Sequence, residues 1–302
     1  MLISVIIPTR NREASLKALL NSLEETRLGG SARLEILVVD NGSTDDTQSM
    51  LNEEVSIARR YALFVVREDR RGKARALNLG LEKVRGEFVI IFDDDVVVAP
   101  DCIAKHVEAY EQKAFAVIQG RVLPGKDPKG QGIDPSRLRE YNIPIRDLGS
   151  EFREIRGVIG TNVSFRREVL ERVGLFDVRL GPGASGYSED SEFSIRLRRA
   201  GFKIGYTPHA VAYHELNPAR YGRSYHRDAQ FRKGVSRSIY RRDSILFKVL
   251  PNIFAHCLRW GWYRLIGDSQ KLYKTEGRLW KCLGYLAGKY QRGTGARADI
   301  PK

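Results

Sequence analysis

Cysteine is scarce and scattered: Cys102, Cys257 and Cys282 are three in 302 residues, an odd set with neither metal-ligand spacing nor the even framework of a disulfide-stapled fold. A reducing cytosol is the expected compartment. Long apolar runs are missing as well. The opening run from Leu2 to Ile7 is halted by Pro8 and followed by Arg10 and Arg12; it is too short for the apolar core of a secretory signal and has no charged residue before it, so a first strand is expected. The most apolar later stretch, Ile245 to Ile266, is broken by Lys248, Pro251, Arg259 and Arg264, whereas a bilayer span needs about 20 largely uncharged residues. Fixed-period repeats and low-complexity segments are absent. With 42% hydrophobic and 29% charged residues, the composition predicts one large domain or a domain with an appendage, and excludes disorder.

Acidic charge is missing from one end. Residues 216–302 hold 19 Lys+Arg and 5 Asp+Glu, while the preceding residues carry 32 of each sign. The whole formal excess of +14 therefore sits in the tail, which predicts an appended segment that meets something anionic. Groove-reading and base-stacking signatures are absent, so no specific nucleic-acid partner is expected.

What is present in the neutral part is an alternation. Ser4–Ile7, Glu35–Val39, Leu63–Val66 and Phe88–Phe92 are β-branched or aromatic runs, separated by helix-patterned stretches such as Ala14–Glu25 and Lys73–Val84. Apolar strands between amphipathic segments predict an α/β fold with a mainly parallel sheet covered on both faces. A further strand is expected over Ala116–Val122, followed by a Pro/Gly-rich loop from Pro124 to Pro135. Ligands in such folds gather beyond the carboxyl ends of strands, and the polar signals fall there: Pro8-Thr9-Arg10, then Asp40-Asn41-Gly42-Ser43-Thr44-Asp45, then Asp93-Asp94-Asp95.

Three adjacent carboxylates at the end of a buried run must repel one another. Either they fan into water or a divalent cation sits among them, since hard cations take carboxylates and phosphate oxygens. Asp40 before Asn41-Gly42 is a turn-forming sequence, and its carboxylate can also accept from a base N–H or a ribose hydroxyl. The basic run Arg70-Arg71-Gly72-Lys73 opens a helix, where the dipole and free N–H groups suit phosphate; a solvated basic helix start is the alternative. Ser188-Glu189-Asp190 follows a Gly/Ser loop from Gly181 to Tyr187 with the look of a mobile lid, so Asp190 reads either as an acidic helix cap or as a general base beside that lid. His214 closes the strand-like run Ala210–Tyr213 and is either structural or a ligand alongside carboxylates.

Taken in order, the motifs resemble a family 2 glycosyltransferase of the GT-A type. They are Ser4-Val5-Ile6-Ile7-Pro8-Thr9-Arg10-Asn11-Arg12, Ile36-Leu37-Val38-Val39-Asp40-Asn41-Gly42-Ser43-Thr44-Asp45, Asp93-x-Asp95, Gly160-Thr161-Asn162-Val163-Ser164-Phe165-Arg166-Arg167, Val173-Gly174-Leu175-Phe176-Asp177 and Ser188-Glu189-Asp190. The resemblance implies a GT-A catalytic domain over residues 1–215, a Rossmann-like mixed sheet with helices on both faces, with a nucleotide-binding half at 1–100 and an acceptor-binding half at 101–215. Residues 216–302 then form a basic amphipathic helical tail.

By the same resemblance, Pro8, Thr9, Arg10, Asp40 and a basic residue at Arg71 or Lys73 hold a nucleotide-diphosphate sugar, with a UDP-sugar favoured. Asp93 and Asp94 lie by the ribose and donor sugar. Asp95, completed by His214, ligates Mn2+ or Mg2+, and Asp190 takes the proton from the acceptor hydroxyl with inversion at the anomeric carbon. The acceptor is expected to be a saccharide or a lipid-linked saccharide in cell-surface polysaccharide or glycoconjugate synthesis. The aromatic and basic tail is expected either to pack on the catalytic domain or to lie on anionic lipid at the inner face of the cell membrane. Two other readings stand beside this one: a sugar-phosphate nucleotidyltransferase on a similar scaffold, and a non-enzymatic polyanion-binding protein.

Overall fold

The computed structural model describes residues 1–57, 59–112, 115–125, 144–220 and 222–293; most of the Pro/Gly-rich stretch anticipated after Pro124 lies outside them. In chain order the elements are β1 (Leu2–Thr9), α1 (Glu13–Glu24), β2 (Arg33–Asp40), α2 (Thr47–Ser56), β3 (Ala62–Arg67), α3 (Lys73–Lys83), β4 (Phe88–Ile91), β5 (Val96–Val98), α4 (Cys102–Gln112), β6 (Val117–Pro124), β7 (Arg153–Ile155), β8 (Val163–Arg166), α5 (Val169–Val173), α6 (Glu189–Arg199) and β9 (Ile204–His214). A 3-10 turn (Pro218–Arg220), α7 (Arg223–Tyr240), a π-helical turn (Ile245–Val249), α8 (Leu250–Leu265) and α9 (Ser269–Gly293) follow among the described residues. The described residues fall into two compact units, residues 1–125, 144–178 and 189–216 in one and residues 179–188 and 217–293 in the other.

The first unit is built on one sheet of strand order β3-β2-β1-β4-β8-β6-β9-β5, with β7 paired to β9. β1 to β4 are mutually parallel. The expectation of a mainly parallel sheet holds for this half only, because β8 lies antiparallel to both β4 and β6. A parallel neighbour requires a crossover that returns the chain to the same end of the sheet; here the chain reaches β8 after β5, α4, β6 and β7, and arrives from the opposite end.

The side chains of β1 alternate between two apolar layers, as the pleat dictates. Ile3, Val5 and Ile7 pack with Leu16, Leu19, Leu20 and Leu23 of α1, and each such fully buried aliphatic contributes roughly 1.5–3 kcal/mol. Ile6 faces the other way, toward Leu77 and Leu81 of α3. There Gly80 lets the helix press onto the strand: a Cβ at that position would come within 2.7 Å of the Ile6 Cγ2. Both faces of β1, β2 and β4 being covered, their polar signals are confined to the carboxyl ends, and β3 is the exposed edge strand.

In the second unit α7 and α9 pack backbone to backbone. Cβ atoms at Gly234 and Gly284 would run into the Lys281 and Phe231 carbonyls of the facing helix, so only glycine permits the approach. Glu276 accepts from Arg223 and Arg227, each at 2.7 Å, and Asp243 accepts from Arg237 at 2.8 Å and Lys248 at 2.6 Å. The loop from Gly181 to Tyr187, expected to be a mobile lid, is hydrogen-bonded to α7. The Ser185 and Ser236 hydroxyls are 2.8 Å apart, the Ser236 hydroxyl donates to the Ser185 carbonyl, and the Tyr187 N–H donates to the Ser236 hydroxyl.

Candidate active site

Parallel register brings the first two polar turns together. Thr9 pairs with Asp40 at the carboxyl ends of β1 and β2, and β4 flanks β1 on its other side. The Thr9 hydroxyl donates to Asp94 Oδ2 at 2.8 Å, and the Arg10 guanidinium donates to the Asn41 carbonyl at 2.8 Å. Pro8 and Asp40 are buried. Asp40 Oδ1 accepts the Ser43 N–H at 2.9 Å, and its Oδ2 lies 3.5 Å from Arg67 Nη1.

The two candidates in the basic run differ in place. Arg71 is exposed, whereas Lys73, at the first position of α3, forms an ion pair with Asp93 and lies 3.8 Å from Glu189. Gly72 precedes it at φ +145°, a conformation that glycine alone adopts readily. Its N–H is already used, donating to Asn41 Oδ1 at 2.7 Å. Asn41 also donates to the Glu68 and Arg70 carbonyls, so one amide clamps the whole turn that leads into Lys73. Nothing in the residue type announced this role beyond the tolerance of Asn for turns.

His214 reaches the acidic trio through β9. Val96 and His214 are antiparallel partners, which carries the imidazole back to the residue before Val96. His214 Nε2 lies 3.1 Å from Asp95 Oδ1, while its Nδ1 is 2.7 Å from the Glu215 carbonyl. Asp93, Asp95 and His214 each offer a ligand atom within 4.8 Å of the others. Hard oxygens with one imidazole suit a divalent cation of the Mg2+ or Mn2+ kind. The carbonyl that fixes Nδ1–H leaves the Nε2 lone pair aimed at a carboxylate, which demands either a proton or a cation between them. The donor set therefore fits such an ion. With only a proton available, burial disfavours the charged ring but the hydrogen bond and charge of Asp95 outweigh it, and the His214 pKa is raised.

Asp94 is pushed up to about 7, first by burial and then by the Asp95 charge, against the Thr9 hydrogen bond. Lys73 is raised: burial opposes its charge, but Asp93 and Glu189 prevail. Asp190 stands at the start of α6, its Oδ1 accepting the Ser191 N–H at 2.6 Å and its carbonyl accepting from the Ser194 hydroxyl. Its pKa is raised by burial, with Lys73 opposing. Glu189 and Asp190 border a small cavity otherwise lined by apolar side chains such as Leu77, Phe176 and Phe193.

Several residues to which the sequence assigned no role hold this arrangement. The Thr161 hydroxyl accepts the Asp93 N–H at 2.9 Å. Asn162, at φ +51°, donates to the Arg121 and Ala210 carbonyls and lies 2.8 Å from His106 Nε2. His106 Nδ1 is 2.8 Å from the Ser164 hydroxyl, itself 3.0 Å from the Tyr110 hydroxyl. Burial lowers the His106 pKa to about 4, so the ring is neutral and donates to the Asn162 amide oxygen. A Cβ on Gly160 would approach Lys73 Nζ to 3.1 Å, so that glycine leaves room for the ammonium.

The sequence model of glycosyl transferase family 2 matches residues 4–174, the span that carries the sheet ends, Lys73 and the acidic trio. The chain belongs to glycosyl transferase family 2. Among relatives, this transferase is 27% identical over 267 residues to the uncharacterized glycosyltransferase YfnE of Bacillus subtilis, aligning 72% of the chain with 65% of that protein. It is 24% identical over 221 residues to the glucosyl-dolichyl phosphate glucuronosyltransferase of Haloferax volcanii, covering 72% of the chain and 70% of the relative. It is 30% identical over 161 residues to an undecaprenyl-phosphate 4-deoxy-4-formamido-L-arabinose transferase of Pseudomonas aeruginosa, covering 51% of the chain but only 47% of that protein. The matched part thus spans less than two thirds of two of these three relatives.

In three dimensions the transferase resembles the mannosyltransferase PcManGT of Pyrobaculum calidifontis, solved with GDP-Man and Mn2+, at a TM-score of 0.56 and 23% identity over 99% of this chain and 76% of that one. It also resembles S. aureus TarS 1-349 in complex with UDP-GlcNAc, at a TM-score of 0.52 and 17% identity over 100% and 95%. These likenesses establish the GT-A fold with a helical C-terminal region.

Proposed function

We propose that the enzyme is an inverting, metal-dependent transferase that moves a sugar from a nucleotide diphosphate, UDP by preference, to a lipid-linked saccharide. The observation that carries this reading is the convergence of Asp93, Asp95 and His214 within 4.8 Å beside Thr9, Asp94 and Lys73. Asp95 and His214 would hold Mn2+ or Mg2+, which when bound supplies positive charge against the diphosphate leaving group. Pro8, Thr9, Arg10 and Asp40 receive the nucleoside, Asp93 and Asp94 the ribose and donor sugar, and Lys73 rather than Arg71 faces the phosphates. Asp190 accepts the acceptor hydroxyl proton; its raised pKa brings it closer to neutrality, which suits a general base. Attack on the face opposite the leaving group inverts the anomeric centre.

The lipid-linked acceptor is supported by relatives whose names specify dolichyl-phosphate and undecaprenyl-phosphate transfer. Among the described residues no helix is long and apolar enough to cross a membrane. The basic 216–302 tail is the part that meets the anionic inner face of the membrane, where such an acceptor is presented. The test is a panel of nucleotide sugars assayed for donor hydrolysis and thermal stabilisation with and without Mn2+, since a ligand that binds only the folded state raises its apparent stability. A UDP-sugar is expected to be hydrolysed and to stabilise only with the metal. Indifference to every nucleotide sugar, or release of pyrophosphate from a free nucleoside triphosphate, refutes the proposal.

A further inference from the structure

The aromatic residues of the C-terminal unit fall into two classes. Tyr273 stacks on His226 with ring centroids 3.8 Å apart, Phe231 meets Trp280 edge-on, and Tyr285 is 2% exposed; these lie in the α7–α9 interface. Phe247, Phe254 and Trp262 are exposed. Along the π-helical turn and α8, Ile245, Leu246, Phe247, Leu250, Phe254, Leu258, Trp262, Leu265 and Ile266 are all large, apolar and exposed, with Phe247 and Leu265 at 83%. In α8 itself only His256 is buried.

The spacing gives this exposure a direction. Phe247, Leu250, Phe254, Leu258, Trp262 and Leu265 follow one another at intervals of three or four, which places them in one stripe along the helix. His256 lies off that stripe, toward the protein. A contiguous apolar stripe of this kind is more than scattered surface hydrophobics and marks an interaction surface.

Charge identifies the occupant. From Ser244 to Gly267 there is no carboxylate, while Lys248, Arg259 and Arg264 are present and exposed. Arg264 lies over the Trp260 ring at 5.4 Å, and Tyr263, Trp260 and Trp262 form the aromatic group typical of a membrane–water boundary. Lys248 is held by Asp243 at 2.6 Å, and Arg259 and Arg264 remain as the positive border; such an apolar stripe, on a helix too short and too interrupted to span a bilayer, is the pattern of an element that lies in the plane of an anionic lipid surface with its apolar side among the acyl chains.

We propose that the π-helical turn and α8 form a monotopic insertion element for an anionic phospholipid bilayer, with Phe247, Leu250, Phe254, Leu258 and Leu265 entering the acyl boundary. This rests on, and sharpens, the reading that the tail meets a membrane: adsorption of a basic surface needs no apolar penetration, whereas this element requires it.

The experiment is flotation of the full chain with vesicles of phosphatidylglycerol and phosphatidylcholine, compared with the triple variant Phe247→Ser/Phe254→Ser/Leu258→Ser. These side chains are exposed, so folding and UDP-sugar stabilisation are expected to survive, while partitioning into vesicles falls at least tenfold. As a second readout on the unmodified protein, vesicles with brominated acyl chains should quench the tryptophan fluorescence. If the unmodified chain does not float, the membrane reading and this element fail together. If the triple variant floats as well as the unmodified chain and bromine does not quench, the tail adsorbs by charge alone and only the insertion element is overturned. If the unmodified chain is a dimer that the triple variant renders monomeric, the stripe is an interface between copies and the proposal is equally overturned.

Discussion

Glu189→Gln is expected to stabilise the metal-free enzyme, and to do so more at pH 8 than at pH 5. The Glu189 side chain is 8% exposed beside Lys73. Burial raises its pKa, Lys73 opposes, Asp190 and Asp93 add to the rise, and the balance pushes it up from 4.5 to about 7. The folded state therefore holds the proton more tightly than the unfolded chain does. The sign follows: the contribution is fully present below the unfolded value and is lost as the pH climbs through the folded one. At about 1.4 kcal/mol per unit, the ionised carboxylate costs roughly 1 kcal/mol by pH 5 and roughly 3 kcal/mol by pH 8. Glutamine keeps the shape without the charge, so urea denaturation in EDTA, followed by circular dichroism, should show the variant's advantage growing by about 2 kcal/mol between these pH values. An advantage that does not change with pH, or a variant less stable at pH 8, refutes the argument that burial, reinforced by Asp190 and Asp93, holds the proton on this carboxyl.

The other expected outcomes concern the reaction and the supporting network. Asp190→Asn should reduce transfer by about 10²–10⁴-fold, the range for loss of a general base, with donor affinity in calorimetry unchanged; a large loss of donor binding would reassign the residue. Asp95→Ala should weaken Mn2+ binding by tenfold or more in titration calorimetry, since it removes one of three clustered donors, and unaltered Mn2+ affinity would exclude it as a ligand. His106, lowered to about 4 by burial, should make the protein less stable as the pH falls from about 6.5 toward 4, because the unfolded chain gains a proton there that the folded state refuses. His106→Gln should flatten that part of the stability profile, and a profile of unchanged slope would mean that another group sets it.

The sequence displayed the strand ends because each is a local signal: an apolar run followed at once by Thr9, Asp40 or the acidic trio. It could not show which groups meet. His214 joins Asp95 only because β9 runs antiparallel to β5 in a register that pairs Val96 with His214, and register is settled by packing across the sheet rather than by neighbours in the chain. The choice between Arg71 and Lys73 was likewise hidden, since both are basic and two residues apart. Asn41 clamps the turn, so that α3 begins at Lys73 with its ammonium among Asp93 and Glu189, while Arg71 is exposed. The Gly/Ser loop from Gly181 to Tyr187 suggested a lid, yet Ser185 and Tyr187 are tied to Ser236, a partner far along the chain that no local pattern reveals.

The charge of the tail was legible as a sum but not as a distribution. Much of the positive charge on α7 and α9 is answered within the unit itself: Arg223 and Arg227 converge on Glu276, and Arg237 reaches Asp243, so these side chains brace two helices whose glycines already bring the backbones together. The pairs are partly exposed, and their worth lies more in fixing geometry than in stability. Around α8 the balance is different. Asp243 and Asp268 stand before and after a stretch without any carboxylate, and the side chains between them are apolar on the outward stripe and basic at its borders. A formal charge of +14 thus combines arginines occupied in holding the unit together with a shorter element in which Lys248 is answered by Asp243 but Arg259 and Arg264 have no carboxylate in their own segment, and it is the second of these that carries the exposed aromatic and aliphatic surface.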